Sequence, residues 1–261
     1  MVRNGYVPAA ICALIALADP AFAAPIFYGN FVGNTVKYVG VTEDSGTDPT
    51  PLFGAPVISG DTLDFNPVSF NSFSSGALGN DITDGTLTFF VEALPGNAIS
   101  TLILNERGDV TLSGFGNNQT FAAAYAAIFI SILQIDGIDI NPIDLQGTMT
   151  VTPSGGTFEL GTDGGGGPQY KAIWTGSKTF DILGSITSLG IIPDLGVTKL
   201  SVNLDNALIT LSQEGTSAFI AKKDSKGVSI SVPEVSPTTM LVVAFAGAWL
   251  VRRARASRVT A

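Results

Sequence analysis

The sequence contains no histidine. That removes Ser-His-Asp and Cys-His catalysis, and with them every imidazole-based metal site. Cysteine is almost as scarce: Cys12 is the one cysteine, and it falls in the apolar N-terminal stretch. A chain with no other thiol forms no disulfides and no thiolate metal centre. Tight zinc or copper binding is therefore not expected, and an ion that does bind should be calcium held by oxygen ligands. Cys12 could serve as a lipid-attachment residue only after a small residue, but Ile11 precedes it. It reads as an ordinary residue of an apolar run. Charge is the third scarcity. Only 13% of residues are charged, whereas 45% are hydrophobic. Such a chain can bury a sizeable core and is not disordered. Much of its surface must be Ser, Thr, Asn and Gly. The formal net charge is −9, and setting aside the arginine-rich ends makes the middle more acidic still. That field repels nucleic-acid phosphates and anionic lipid heads, so nucleic acid is excluded as a partner. Neutral glycans, cations and other proteins remain.

What is present is most specific at the two ends. Arg3 supplies a positive start, Val7 to Ala18 an apolar run, and Ala21-Phe22-Ala23 the small-x-small pattern that signal peptidase cuts. Residues 1–23 are thus expected to be a signal peptide, with Ala24 first in the mature chain. At the other end, Val232-Pro233-Glu234-Val235-Ser236-Pro237 forms a proline-stiffened polar turn. The apolar run Thr238 to Val251 follows, then Arg252, Arg253, Arg255 and Arg258. The run is shorter than the about 20 residues of a comfortable membrane span. The arginines would hold the C-terminus on the cytoplasmic side.

Val-Pro-Glu, an apolar helix and a terminal arginine cluster together resemble the PEP-CTERM sorting domain. The resemblance covers about residues 232–261. It implies recognition at Val232, Pro233 and Glu234 by an exosortase-type membrane transpeptidase of Gram-negative bacteria that make exopolysaccharide. It also implies an inner-membrane intermediate, loss of the helix, and delivery to the outer envelope or extracellular matrix. The sequence departs from the pattern at Val235, where a second proline is usual. A plain single-span anchor is the alternative.

Between the ends, residues 24–231 are dense in turn pairs such as Asp-Gly, Gly-Asn and Asn-Pro. Period-two alternation marks 85–93, 100–105, 108–113, 147–152 and 199–204. The pattern predicts an all-β domain, an antiparallel β-sandwich or jelly roll, between an N-terminal signal helix and a C-terminal transmembrane helix. Thr120 to Leu133 is apolar on every face. Its alanines favour helix and its isoleucines favour strand. The Asp136-Gly137 turn directly after it decides for a long buried strand. Segments such as 99–114, 135–160 and 198–224 resemble a recurring class of PEP-CTERM-domain proteins, which implies an all-β domain and no assigned activity.

Few residues suggest chemistry. Asp136, Asp139, Asn141 and Asp144 crowd oxygen ligands at short spacing, as a calcium site would. Turns need the same residue types. Asp61 with Asp64, and Asp81 with Asp84, pose the same choice more weakly. Gly164 to Gly167 lacks the Lys-Ser/Thr of a phosphate loop and reads as a hairpin connection. Trp174, Tyr170 and Tyr125 are candidate sugar-stacking rings, although a lone Trp on a strand is more often core. Lys222 to Gly227 reads as an exposed hairpin tip. No carboxylate pair forms a hydrolase motif, and no enzyme is expected. The leading expectation is an envelope or exopolysaccharide-matrix structural protein. The alternative is a carbohydrate-binding module, with or without calcium.

Overall fold

The computed structural model describes residues 24–77, 79–223 and 226–233. Ala21, Ala23, Glu234, Arg252, Arg253 and Arg255 lie outside the described residues, as do the expected signal and tail helices. Among the described residues no helix is long and apolar enough to cross a membrane.

The strands are, in chain order, β1 (Ile26–Val32), β2 (Val36–Asp44), β3 (Val57–Ser59), β4 (Thr62–Phe65) and β5 (Asn71–Ser75). They continue with β6 (Gly79–Ala93), β7 (Thr101–Ser113), β8 (Phe121–Ile135), β9 (Ile138–Thr148) and β10 (Thr150–Thr152). The last are β11 (Thr157–Glu159), β12 (Gln169–Asp181), β13 (Val197–Ser212), β14 (Ser217–Lys222) and β15 (Val228–Ser231). They form two antiparallel sheets. The seven-stranded sheet runs β1-β2-β6-β13-β8-β11, with β9 also on β8. The eight-stranded sheet runs β10-β12-β7-β15-β4-β3, with β14 between β7 and β5.

Alternation explains the packing. In β6, Leu87, Phe89 and Val91 are buried between the sheets, while Thr86, Thr88 and Phe90 face outward. The ambiguous run is the strand β8. Ala122, Ala124, Ala126, Ile128, Ile130 and Ile132 are buried, and Tyr125 and Phe129 point out. β13 pairs along its length on one side, β9 and β11 on the other. Asp136 and Gly137 join β8 to β9 with φ of 54° and 78°. This two-residue connection has the positive φ values that suit a twisted hairpin.

Three details depart from expectation. The segments 100–105 and 108–113 are one continuous strand, β7. The segment 147–152 is two strands, because the chain leaves the seven-stranded sheet after Thr148 and enters the other as β10. Finally, β12 runs into a short helix, α1 (Ile182–Ser188), which alternation did not announce. Asp181 caps it, its carboxylate accepting the Gly184 N–H at 2.8 Å.

Large rings fill the core. Phe53 meets Phe65 and Phe70 edge-on at 6.0 and 4.9 Å. A Cβ at Gly85 would come within 2.7 Å of the Phe70 ring, so only glycine fits there. Buried carboxylates hold the rim. Glu43 accepts the backbone N–H groups of Leu52 and Phe53 and the Tyr28 hydroxyl, the last at 2.6 Å. Burial, then Glu43, pushes the Tyr28 hydroxyl well above its ordinary pKa. Asp61 accepts Thr35 N–H and Oγ1–H at 2.8 and 2.5 Å.

One buried charge overturns the sequence reading. Lys222, expected at an exposed hairpin tip, lies fully inside. Its Nζ donates to Glu106 and Asn206.

Candidate functional site

The outer face of the seven-stranded sheet is the surface that gathers exposed aromatic rings. Residues directly opposite on paired strands share a face. The register therefore sets Phe27, Thr42, Thr88, Asn203, Phe129 and Gln146 in a row across the strands. From β1 to β8 the row spans four strand spacings, about 19 Å. Thr42, Thr88 and Asn203 stand between two phenylalanines, Phe27 at 68% exposure and Phe129 at 46%. Tyr125, at 51% exposure, lies on the same face of β8, and Phe90 on the same face of β6.

Charged groups bracket this row. On one side Glu92 bridges Lys37 and Lys199 at 2.6 and 2.9 Å, across three strands. Lys37 first, and then Lys199, holds the Glu92 carboxyl below its ordinary pKa. On the other side Asp84 of β6 meets Asp205 of β13, carboxyl to carboxyl. Partial burial pushes the Asp84 pKa up, and the neighbouring Asp205 charge pushes it further. Backbone N–H groups of Gly46 and Gly85 pull the other way. Asp44 stands beside Thr86 at the same end.

The calcium quartet does not converge. The Asp136 carboxylate accepts backbone N–H groups from Leu195, Gly196 and Asp194 at 2.7, 2.8 and 3.0 Å. Those bonds hold its pKa below the usual carboxylate range. Asp139 accepts from Gln134, and Asp144 from Ser131, each at 2.6 Å along the β8–β9 ladder. Asn141 is exposed on β9. Among the described residues no three acidic side chains gather to hold a metal. Asp61 is spent on Thr35, Asp64 pairs with Lys226 at 3.2 Å, and Asp81 accepts the Phe73 N–H.

Of the candidate sugar-stacking rings, Trp174 is fully buried and Tyr170 is stacked against Phe158. Tyr125 alone of the three reaches the open face. Phe27, Phe90 and Phe129 escaped the sequence reading. Each sits at an outward step of its strand, but in Phe89-Phe90 and Phe129-Ile130 both neighbours are apolar, so alternation alone does not say which faces out. At the N-terminal boundary Ala24 is exposed, and at the C-terminal boundary Pro233 is too. Val232 is buried, its N–H donating to the Asp61 carbonyl at 3.1 Å.

No protein-family model matches the chain, and no curated protein matches it either. Among solved structures, the chain is similar to TmCBM61 in complex with β-1,4-galactotriose. The identity is 9%, over 60% of this chain and 70% of that one, with a TM-score of 0.18. It is also similar to the xyloglucanase domain of NopAA, a type three effector from Sinorhizobium fredii, in complex with cellobiose. There the identity is 13%, over 79% of this chain and 98% of that one, with a TM-score of 0.21. At these scores neither likeness carries an argument about this chain.

Proposed function

We propose that the chain is an exported carbohydrate-binding module that lays a neutral polysaccharide across the outer face of the seven-stranded sheet. The observation that carries this reading is the row from Phe27 to Gln146. Phe27 and Phe129 offer stacking faces, and Thr42, Thr88 and Asn203 between them, with Gln146 beyond Phe129, offer donors and acceptors. A sugar chain needs both at once, because each ring has an apolar face and a hydroxyl edge. The low surface charge suits a neutral ligand. Binding fits better than hydrolysis. Asp84 and Asp205 touch, whereas retaining glycosidases hold their two carboxyls about 5 Å apart around the bond they cut.

Delivery completes the proposal. Signal peptidase frees the chain near Ala24, and an exosortase-type enzyme acts on the tail at Val232, Pro233 and Glu234, with Arg252, Arg253 and Arg255 as the stop. The module then resides in the envelope or exopolysaccharide matrix. The test is a glycan-array screen of the purified full chain, with and without a calcium chelator. Wild type should bind neutral polysaccharides, and Phe129→Ala should bind them more weakly. Equal binding by the two proteins, or none by wild type, sinks the reading.

A further inference from the structure

Lys222, Asn206 and Glu106 come from three different strands and meet between the sheets. Lys222 ends β14, Asn206 lies on β13 of the opposite sheet, and Glu106 lies on β7. All three are buried, with relative exposures of 2%, 0% and 2%. Lys222 Nζ donates to Glu106 Oε2, and to Asn206 Oδ1 at 2.5 Å. Asn206 Cγ is bonded to that oxygen, so the amine sits against an amide carbon. Rings close the site: Nζ lies 5.0 Å from the Phe70 centroid and 6.0 Å from that of Trp174.

A plain buried ion pair accounts poorly for this arrangement. Buried pairs hold when every remaining lone pair and proton is satisfied. Here Asn206 Nδ2 and Glu106 Oε1 have no hydrogen-bond partner among the described residues. A stranded amide NH₂ in a dry core is costly. It ceases to be stranded if it leaves.

We propose that Lys222 and Asn206 join in an intramolecular isopeptide bond, with Glu106 as the proton carrier. The Lys222 ammonium passes a proton to Glu106 and becomes a neutral amine. Its lone pair attacks Asn206 Cγ, forming the new C–N bond. Glu106 then gives a proton to Nδ2 as it takes one from the former amine nitrogen. The Cγ–Nδ2 bond breaks and ammonia leaves. The products are a secondary amide, one ammonia and a carboxyl in the state in which it entered the attack. No oxidant or cofactor is needed. Burial favours the neutral amine, holding the Lys222 pKa below its ordinary value against the opposing pull of Glu106. Enclosure supplies the fixed near-attack contact that such a slow nucleophile needs.

The sequence offers a direct test on the full chain. Trypsin should cut after Lys199 but not after an acylated Lys222, giving a peptide of residues 200–223. The linked peptide is one ammonia lighter than its sequence. It stays in one piece when a Glu-specific protease cuts at Glu214, between Asn206 and Lys222. Glu106→Gln should restore the unlinked mass while circular dichroism still reports a folded β-protein. Recovery of residues 200–222 at full sequence mass overturns the proposal. So does a peptide that has lost ammonia yet falls apart at Glu214, which is the behaviour of a succinimide at Asn206. A Glu106→Gln protein that remains linked overturns the role of Glu106. If that variant does not fold, the wild-type digest alone decides the bond.

Discussion

Asp84 and Asp205 stand on neighbouring strands of the seven-stranded sheet, diagonal across the register, with their carboxyls hydrogen-bonded to each other. One proton between them relieves the repulsion. Asp84 therefore has a raised pKa in the fold. A raised carboxyl contributes stability that is full at low pH and is lost as pH rises through the folded value. Asp84→Asn should raise the melting temperature at pH 7 and leave it unchanged near pH 3. Thermal melts at the two pH values check this. A destabilised variant at pH 7 would mean that the pair is worth more charged than neutral.

Asp136 has the opposite sign. Three backbone N–H groups lower its pKa, so its contribution is present above the ordinary carboxylate range and fades as pH falls through the folded value. Asp136→Asn tolerates the positive φ of the turn but loses the charge-assisted bonds to 194–196. Wild type should lose stability as pH falls below the ordinary carboxylate value of about 4, and the variant should lose less. Denaturant midpoints measured at pH 7 and at a series of acidic pH values decide.

Gly108 faces the buried lysine. A Cβ there would lie 1.9 Å from the Ala221 carbonyl oxygen and 2.6 Å from the Trp174 ring. Gly108→Ala should cost about 3 kcal/mol or more in urea unfolding, the upper end for overpacking. A loss below about 1 kcal/mol would mean that β14 shifts freely.

Phe129→Ala and Tyr125→Ala remove exposed rings, so neither should move the melting temperature much. Each should weaken polysaccharide retention in affinity electrophoresis by about three- to tenfold, the equivalent of one aromatic contact. Unchanged mobility on every polysaccharide that retards wild type would remove the ring from the site.

The elements that obey local rules were legible in the sequence. Alternation located β6 and β13, and the Asp136-Gly137 pair settled β8 where periodicity could not. What escaped depends on partners distant in the chain. Lys222 sits in a Lys-Lys run that looks like a solvated tip, and only the approach of Glu106 and Asn206 makes it a core residue. The Asp84–Asp205 pair is set by register, which no local window reveals. The helix α1 had a local signal, Asp181 followed by an apolar residue, but the strand leading into it masked the cap.

The chain leaves the described fold through Val232, directly after β15. That strand is flanked on both sides, by β4 and by β7. Tension arriving along residues beyond Val232 therefore loads two ladders at once, in shear, instead of peeling an edge strand one bond at a time. A chain tethered at that end would transmit a mechanical pull into the middle of the eight-stranded sheet, where the force is shared.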